Sequence, residues 1–316
     1  MTRNVEGMFA FVTMTLAAGV ACAQDYPNKP VRIVTSVAGS ATDFAARLIA
    51  QKMSVTLGQA LIVDNRTGYL SAEIVSKAQP DGYTLLVAGT PTFHGPLLQK
   101  MSYDPVKDLA PISLLVGAPQ ILVVSPTLPV NSVPDLIALA KSKPGVINYA
   151  SGSTGGSGHL AGELFKAMAG VAIVRIAYKG TALAFPDLIN GQVHMMFENP
   201  TVMMQHIKAG KVKGLAVTSL KPTALVPGLP TVAASLPGFE ILSVATILAP
   251  AKTPPAIIKR LNEESVRTLN QADVVERFFN TGADVIASSP EQLAAWIKGA
   301  MASMGKVIKD AGIRIE

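Results

Sequence analysis

Cysteine is almost absent: Cys22 is the only one in 316 residues. A disulfide framework and a cysteine-based metal centre are therefore both excluded. Charge is sparse as well, since Asp, Glu, Lys and Arg make up 15% of the chain, and aromatic residues account for 5% with one tryptophan. Such a composition rules out a charge-rich disordered chain and a coiled coil, and its length suffices for two α/β lobes. After the N-terminal two dozen residues no segment offers the roughly 18 consecutive apolar residues of a membrane-spanning helix. The net charge is +6, but the 27 Lys and Arg are scattered without runs or interleaved aromatics. That pattern argues against nucleic acid and leaves a small acidic partner open. His94, His159, His194 and His206 form no His-x-x-x-His pair and sit beside no carboxylate cluster, so no metal site is expected.

The chain does carry an export signature. Arg3 precedes an apolar run from Met8 to Val20, which ends in Ala21-Cys22-Ala23, an A-x-A cleavage site. Residues 1–23 read as a signal peptide cut after Ala23, which places the mature protein in the periplasm. The rival reading is lipidation at Cys22, with Gly19 standing where lipoprotein signals carry Leu.

Strand and helix patterns alternate through the rest. VRIVTSV, ALIVDN and TLLVAG are β-branched or apolar runs separated by helical patterns near Asp43–Leu57 and Ala72–Ala78. The rhythm restarts after ILVVSP with VINYAS, VAIVRIAY, QVHMMFE and KGLAVTS, separated by helices near His159–Ala169, Ala182–Asn190 and Val202–Ala209. SVATILAPA is a further strand, and two amphipathic helices, near Ala256–Asn270 and Pro290–Ala311, close the chain with core-facing stripes that include Trp296. The expectation is α/β: a clamshell of two lobes, 24–118 with 247–316 and 119–246, each a mainly parallel sheet flanked by helices. Two segments, near Ile112–Ser125 and Ser243–Pro250, would cross between them and form the hinge, with a ligand cleft between the lobes.

The loop SGSTGGSGHLAGEL, from Ser151 to Leu164, fits G-x-G-x-x-G/A through Gly156, Gly158 and Ala161. The following strand ends in Lys179-Gly180, without the carboxylate that holds a nicotinamide ribose, so no cofactor is expected. No Gly-Lys-Ser/Thr follows for a P-loop, and the last glycine of G-x-S-x-G is missing around Ser157. An exported hydrolase using Ser157 and His159, with Asp187 or Glu163 as third member, stays as the rival from another class.

What the loop offers is backbone N–H groups at a helix start, from Gly155 and Gly156, with the hydroxyls of Ser151, Ser153, Thr154 and Ser157. Free amides and the helix dipole attract a carboxylate there, although ordinary capping uses the same residues. The first lobe repeats the device in SVAGSATD, with Ser36, Gly39, Ser40, Ala41, Thr42 and Asp43. AGTPTFHG, read as a strand-end loop, adds Thr90, Thr92 and His94, and AYKGTALAF adds Tyr178, Lys179 and Thr181. Lys179 is either a countercharge for an acid or a solvated strand end. Glu198, with Asn199, suits an amino group or hydroxyl of a ligand, or caps the next helix.

Many motifs in order resemble one family: DYPNKPVRIV, QPDGYTLLVAGT, YDPVKDLAPIS, HLAGELFKAMAG, YKG, INGQV, HIKAGKVKGLAVTS, LPTVAASLPGF, LAPAKTPP and GKVIKDAGI. From about Tyr26 to Ile313 the chain is similar to the substrate-binding proteins of tripartite tricarboxylate transporters, the Bug receptors. The resemblance implies a periplasmic binding protein of the type II-like clamshell that closes over a small organic acid and delivers it to a membrane permease. It implies no catalysis and a monomer. The acid would be a di- or tricarboxylate, an acidic amino acid or an aromatic acid, held by amides, hydroxyls and bridging waters at Ser36–Asp43, Thr90–His94, Ser151–His159 and Tyr178–Thr181. A sensory or partner-docking role for the same clamshell stays open.

Two stretches depart from the family pattern. The first turn, VAGSATD, keeps only Gly39, and Thr67-Gly68-Tyr69-Leu70-Ser71 stands where relatives carry Pro-Gly-Ala-Gly-Gly-Asn. Fewer glycines reduce close backbone approach, so Tyr69 is expected to narrow the cleft or to lie against a less polar acid.

Overall fold

The computed structural model describes residues 26–66, 69–152, 155–178, 181–310 and 312–313 of the chain. The leader expected over residues 1–23 lies outside them.

The alternation begins with β1 (Val31–Thr35), α1 (Ala41–Leu57), β2 (Leu61–Asn65), α2 (Leu70–Ser76), β3 (Thr84–Gly89) and α3 (Pro91–Leu98). VRIVT is buried on both faces, as a central parallel strand must be. Ser40 accepts the Asp43 N–H at 3.2 Å to open α1, and Gly58, at a φ of 68° that favours glycine, closes it. The long β4 (Leu109–Pro119) then runs into β5 (Ile121–Val124), followed by α4 (Val133–Ser142), β6 (Asn148–Ser151), α5 (Ser157–Ala169) and β7 (Val174–Ala177). Next come α6 (Phe185–Asn190), β8 (Met195–Glu198), α7 (Pro200–Lys208), β9 (Lys213–Val217) and β10 (Leu242–Pro250). The chain finishes with α8 (Pro255–Leu269), α9 (Ala272–Phe279), β11 (Asp284–Val285) and α10 (Pro290–Asp310).

Two sheets result, in the orders β11-β4-β10-β3-β1-β2 and β7-β6-β8-β5-β9. The α/β architecture is the expected one, but the sheets are mixed rather than mainly parallel. Helical crossovers make β2-β1-β3 and β7-β6-β8 parallel, whereas the strands that pass directly between sheets pair antiparallel with their neighbours. A further difference is that AGTPTFHG leaves its strand as a helix, α3, with Pro91 at its first turn.

The chain passes between the sheets at Gln120 and again at Ile241, and hydrogen bonds join the two passages. Gln120 N–H donates to Thr218 Oγ1 at 2.7 Å, the same hydroxyl donates to the Ile241 carbonyl at 2.6 Å, and Ile241 N–H returns to the Thr218 carbonyl at 3.1 Å. A third element spans the same gap. Leu293 and Ile297 of α10 are buried with Phe93 and Leu248 in the core of the first sheet, while Met304, Val307 and Ile308 are buried with Leu160 and Phe165 in the core of the second. Each such side chain contributes about 1.5–3 kcal/mol by leaving water, so α10 is anchored at both ends.

Candidate ligand-binding site

Between the two sheets the described residues enclose a cavity of about 760 Å³. Its first wall is the start of α1, where Ser36, Ser40, Ala41 and Thr42 line it. The three hydroxyls there bond one another: Ser36 Oγ lies 2.7 Å from Ser40 Oγ and also contacts Thr42 Oγ1, which lies 3.1 Å from Ser40 Oγ. Ser40 Oγ also accepts the Asp43 N–H, and hydroxyls in such a cluster can turn their protons toward an incoming anion.

Gly39 and Asp43 do not line the cavity; they hold the turn that presents these hydroxyls. Asp43 is buried, and its carboxylate accepts from Gly39 N–H at 2.9 Å, Asn65 Nδ2 at 2.8 Å and Arg47 Nε at 3.1 Å. Burial alone would raise this carboxyl, but the bonds from Asn65, Arg47 and Gly39 hold it below the ordinary value.

The opposite wall is the start of α5, with Gly155, Gly156, Ser157 and Leu160. Here the N-cap position is Gly156, which has no side-chain oxygen, so among the described residues the first N–H groups of the helix, at this wall of the cavity, have no side-chain cap. Ser157 Oγ accepts from Gln120 Nε2 at 2.9 Å, and His159 Nδ1 accepts from Gly155 N–H at 3.0 Å. Among the described residues no hydrogen bond joins Ser157 to His159. Burial, followed by the Arg175 charge, pushes the His159 imidazole down to about 4.

Thr90, Thr92 and His94 line the cavity beside α1. The Thr90 hydroxyl donates to the Leu242 carbonyl and accepts from Val244 N–H, both at 3.1 Å, and so ties β3 to β10. His94 is 7% exposed, its Nδ1 has no partner, and burial pushes the ring down to about 4, so a neutral imidazole faces the cavity. Tyr69 also lines it, its ring packed so closely on Gly95 that a Cβ there would lie 2.5 Å away.

The floor, and the Glu240–Val244 edge, were not read from the sequence. Trp296, Gly299, Ala300, Ser303 and Met304 of α10 form one helical stripe, and the Trp296 ring also packs edge-to-face on Phe93 at 5.7 Å. Small side chains at 299, 300 and 303 between two large ones make the recess. Burial raises the Glu240 carboxyl, and no Lys or Arg stands among the described lining residues.

A second pocket of about 180 Å³ adjoins the first, with Gly156 and Ser157 lining both. It contains Gln120, His159, Thr181 and Glu198. Ser151 and Tyr178 line neither cavity: Ser151 Oγ accepts from Arg175 Nε at 2.7 Å, and Tyr178 Oη donates to Asp187 at 2.6 Å. Ser153, Thr154 and Lys179 lie outside the described residues. Among the described residues no cluster of His, Cys, Asp and Glu is arranged to hold a metal.

Against known proteins, residues 45–313 match TctC, the tripartite tricarboxylate transporter family receptor. The chain is 32% identical over 324 residues to the protein BugT of Bordetella pertussis, covering 100% of this chain and 99% of the relative. Among solved structures, R. palustris Rpa4515 with adipate is 36% identical with a TM-score of 0.69, covering 92% of this chain and 99% of that one. MatC from Rhodopseudomonas palustris, with bound malate, is 30% identical with a TM-score of 0.66, covering 90% and 100%. The chain therefore belongs to the TctC family of tripartite tricarboxylate transporter receptors, the family of the Bug proteins.

Proposed function

We propose that this protein is a periplasmic solute receptor that captures a small carboxylate between two lobes and hands it to a membrane permease of the tripartite tricarboxylate type. The observation that carries the reading is the pairing, across one cavity, of the hydroxyl-rich start of α1 with the uncapped start of α5. Both are neutral donor sets, and a carboxylate touching both is stabilised without a lysine or arginine in the described lining. Relatives at 36% and 30% identity hold adipate and malate, which supports the same ligand class here.

Such a ligand favours the closed arrangement because only there do both walls reach it, and the closed population is the form a permease reads. In this reading the lobes divide as 24–118 with 247–316 and 119–246, and the pairing of β10 from Leu242 onward in the first sheet supports a second boundary a few residues earlier. Export by a leader cut after Ala23, action as a monomer and delivery to permease subunits complete the proposal.

The test is a thermal-shift screen of protein stripped by unfolding and refolding, against di- and tricarboxylates, acidic amino acids and aromatic acids. A ligand at a hundredfold excess over its dissociation constant adds about 2.7 kcal/mol, a shift of several degrees. Silence across all of these acids would overturn the reading.

A further inference from the structure

The smaller pocket carries an unmet demand. Gln120 is 6% exposed and spends its Nε2 on Ser157, while its Oε1 is buried without a partner. Glu198 accepts Asn199 N–H at 2.8 Å on Oε1, while its Oε2 is likewise buried without a partner. The strands bring these acceptors together, because Glu198 pairs with Ile121, the residue after Gln120. Two buried, unpartnered oxygens on residues that line one small pocket call for a donor, and one of them belongs to a carboxylate, which favours a cationic donor and repels a second carboxylate.

The neighbouring wall asks for the opposite charge. Gly156 and Ser157, at the uncapped start of α5, border both cavities and attract an anion. A ligand whose carboxylate and ammonium are separated by a single carbon satisfies both demands at that border. The rest of such a molecule extends into the larger cavity, where Leu160, Ile241, Leu242, Val244 and Trp296 offer apolar surface.

We infer that Glu198 and Gln120 form an ammonium subsite, so that among carboxylate ligands this receptor prefers α-amino acids over the corresponding plain acids. The inference rests on the carboxylate reading above and deepens it. One of the three N–H donors of the ammonium goes to Glu198 Oε2 and another to Gln120 Oε1.

The test is calorimetric titration of the stripped protein at pH 7.5 with two pairs that differ only in the amino group: adipate with 2-aminoadipate, and 3-phenylpropanoate with phenylalanine. In whichever pair binds, the amino member is expected to bind at least tenfold tighter. Glu198→Gln should bring the two members to within about threefold by weakening the amino member alone. Gln120→Met, which keeps the volume, should shrink the preference in the same direction, and thermal melts of both variants confirm that they fold. Plain acids that bind as tightly as their amino partners, or a preference that survives Glu198→Gln, would overturn the subsite while leaving the carboxylate reading intact. Binding by no member of either pair would overturn the preference for α-amino acids, while the carboxylate reading itself falls only with silence across the wider screen.

Discussion

Gly162 faces the ring of Tyr149 so closely that a Cβ on it would stand 2.2 Å from the ring, and the Tyr149 hydroxyl donates to Glu163 Oε1 at 2.7 Å. Together these contacts seat α5 on β6 and fix where the helix start meets the cavity. Gly162→Ala must displace a fully buried ring or the helix, so it should cost about 1–3 kcal/mol in chemical denaturation. An unchanged midpoint would mean that α5 can shift on its sheet.

Gly299 is the opposite case. It lies inside α10, and a Cβ there would meet nothing within 4 Å. Gly299→Ala should therefore raise stability by about 0.5–1 kcal/mol, because alanine gives up less conformational freedom in a helix. Gly299→Leu should instead fill the recess beside Ala300 and Ser303 and weaken the longest ligands most, read as a loss of affinity that grows with chain length.

His94 and His159 should make the fold acid-sensitive. Both rings are pushed from 6.5 down to about 4, chiefly by burial, so the unfolded chain takes up protons that the folded chain refuses. Stability is present above pH 6.5 and is lost as the pH falls toward about 4, by at most about 1.4 kcal/mol per pH unit for each ring. Melting temperature against pH should show this slope, and His94→Gln should make it shallower. A flat profile over that window would contradict the burial of these rings.

Asp43 tests the turn that presents the hydroxyls. Asp43→Ala removes the acceptor of Gly39 N–H and one of the two acceptors of Asn65 Nδ2, the other being the Ser36 carbonyl, so it should cost about 1–3 kcal/mol and weaken ligands although it does not line the cavity. Denaturation and titration of the same sample check both effects. Ligand affinity equal to wild type would show that the turn does not need Asp43.

Much of this was legible because β-branched runs and glycine turns punctuate the chain, and because Ser40 and Gly156 mark the two helix starts that face the cavity. Strand direction was less legible: SVATILAPA reads as a strand, but only its direct entry from Ile241 makes it antiparallel to β3 and β4. Periodicity placed the apolar stripe of α10 toward the interior without revealing that Gly299, Ala300 and Ser303 would form a cavity floor. The sequence nominated Glu198 as an end-of-strand carboxylate. Gln120 carried no signal, since a lone glutamine between two apolar strands reads as a turn until the register brings it beside Glu198.

The central claim is that one carboxylate is held from both sides. It is tested most directly by titrating the ligand found in the screen into wild type, Thr42→Val and Ser157→Ala, one substitution on each wall. The account predicts that each variant loses tenfold or more in affinity while still melting cooperatively without ligand, Ser157→Ala somewhat below wild type because Gln120 Nε2 loses its acceptor. Full affinity in either variant would show that the ligand is held from one side only and would contradict the account.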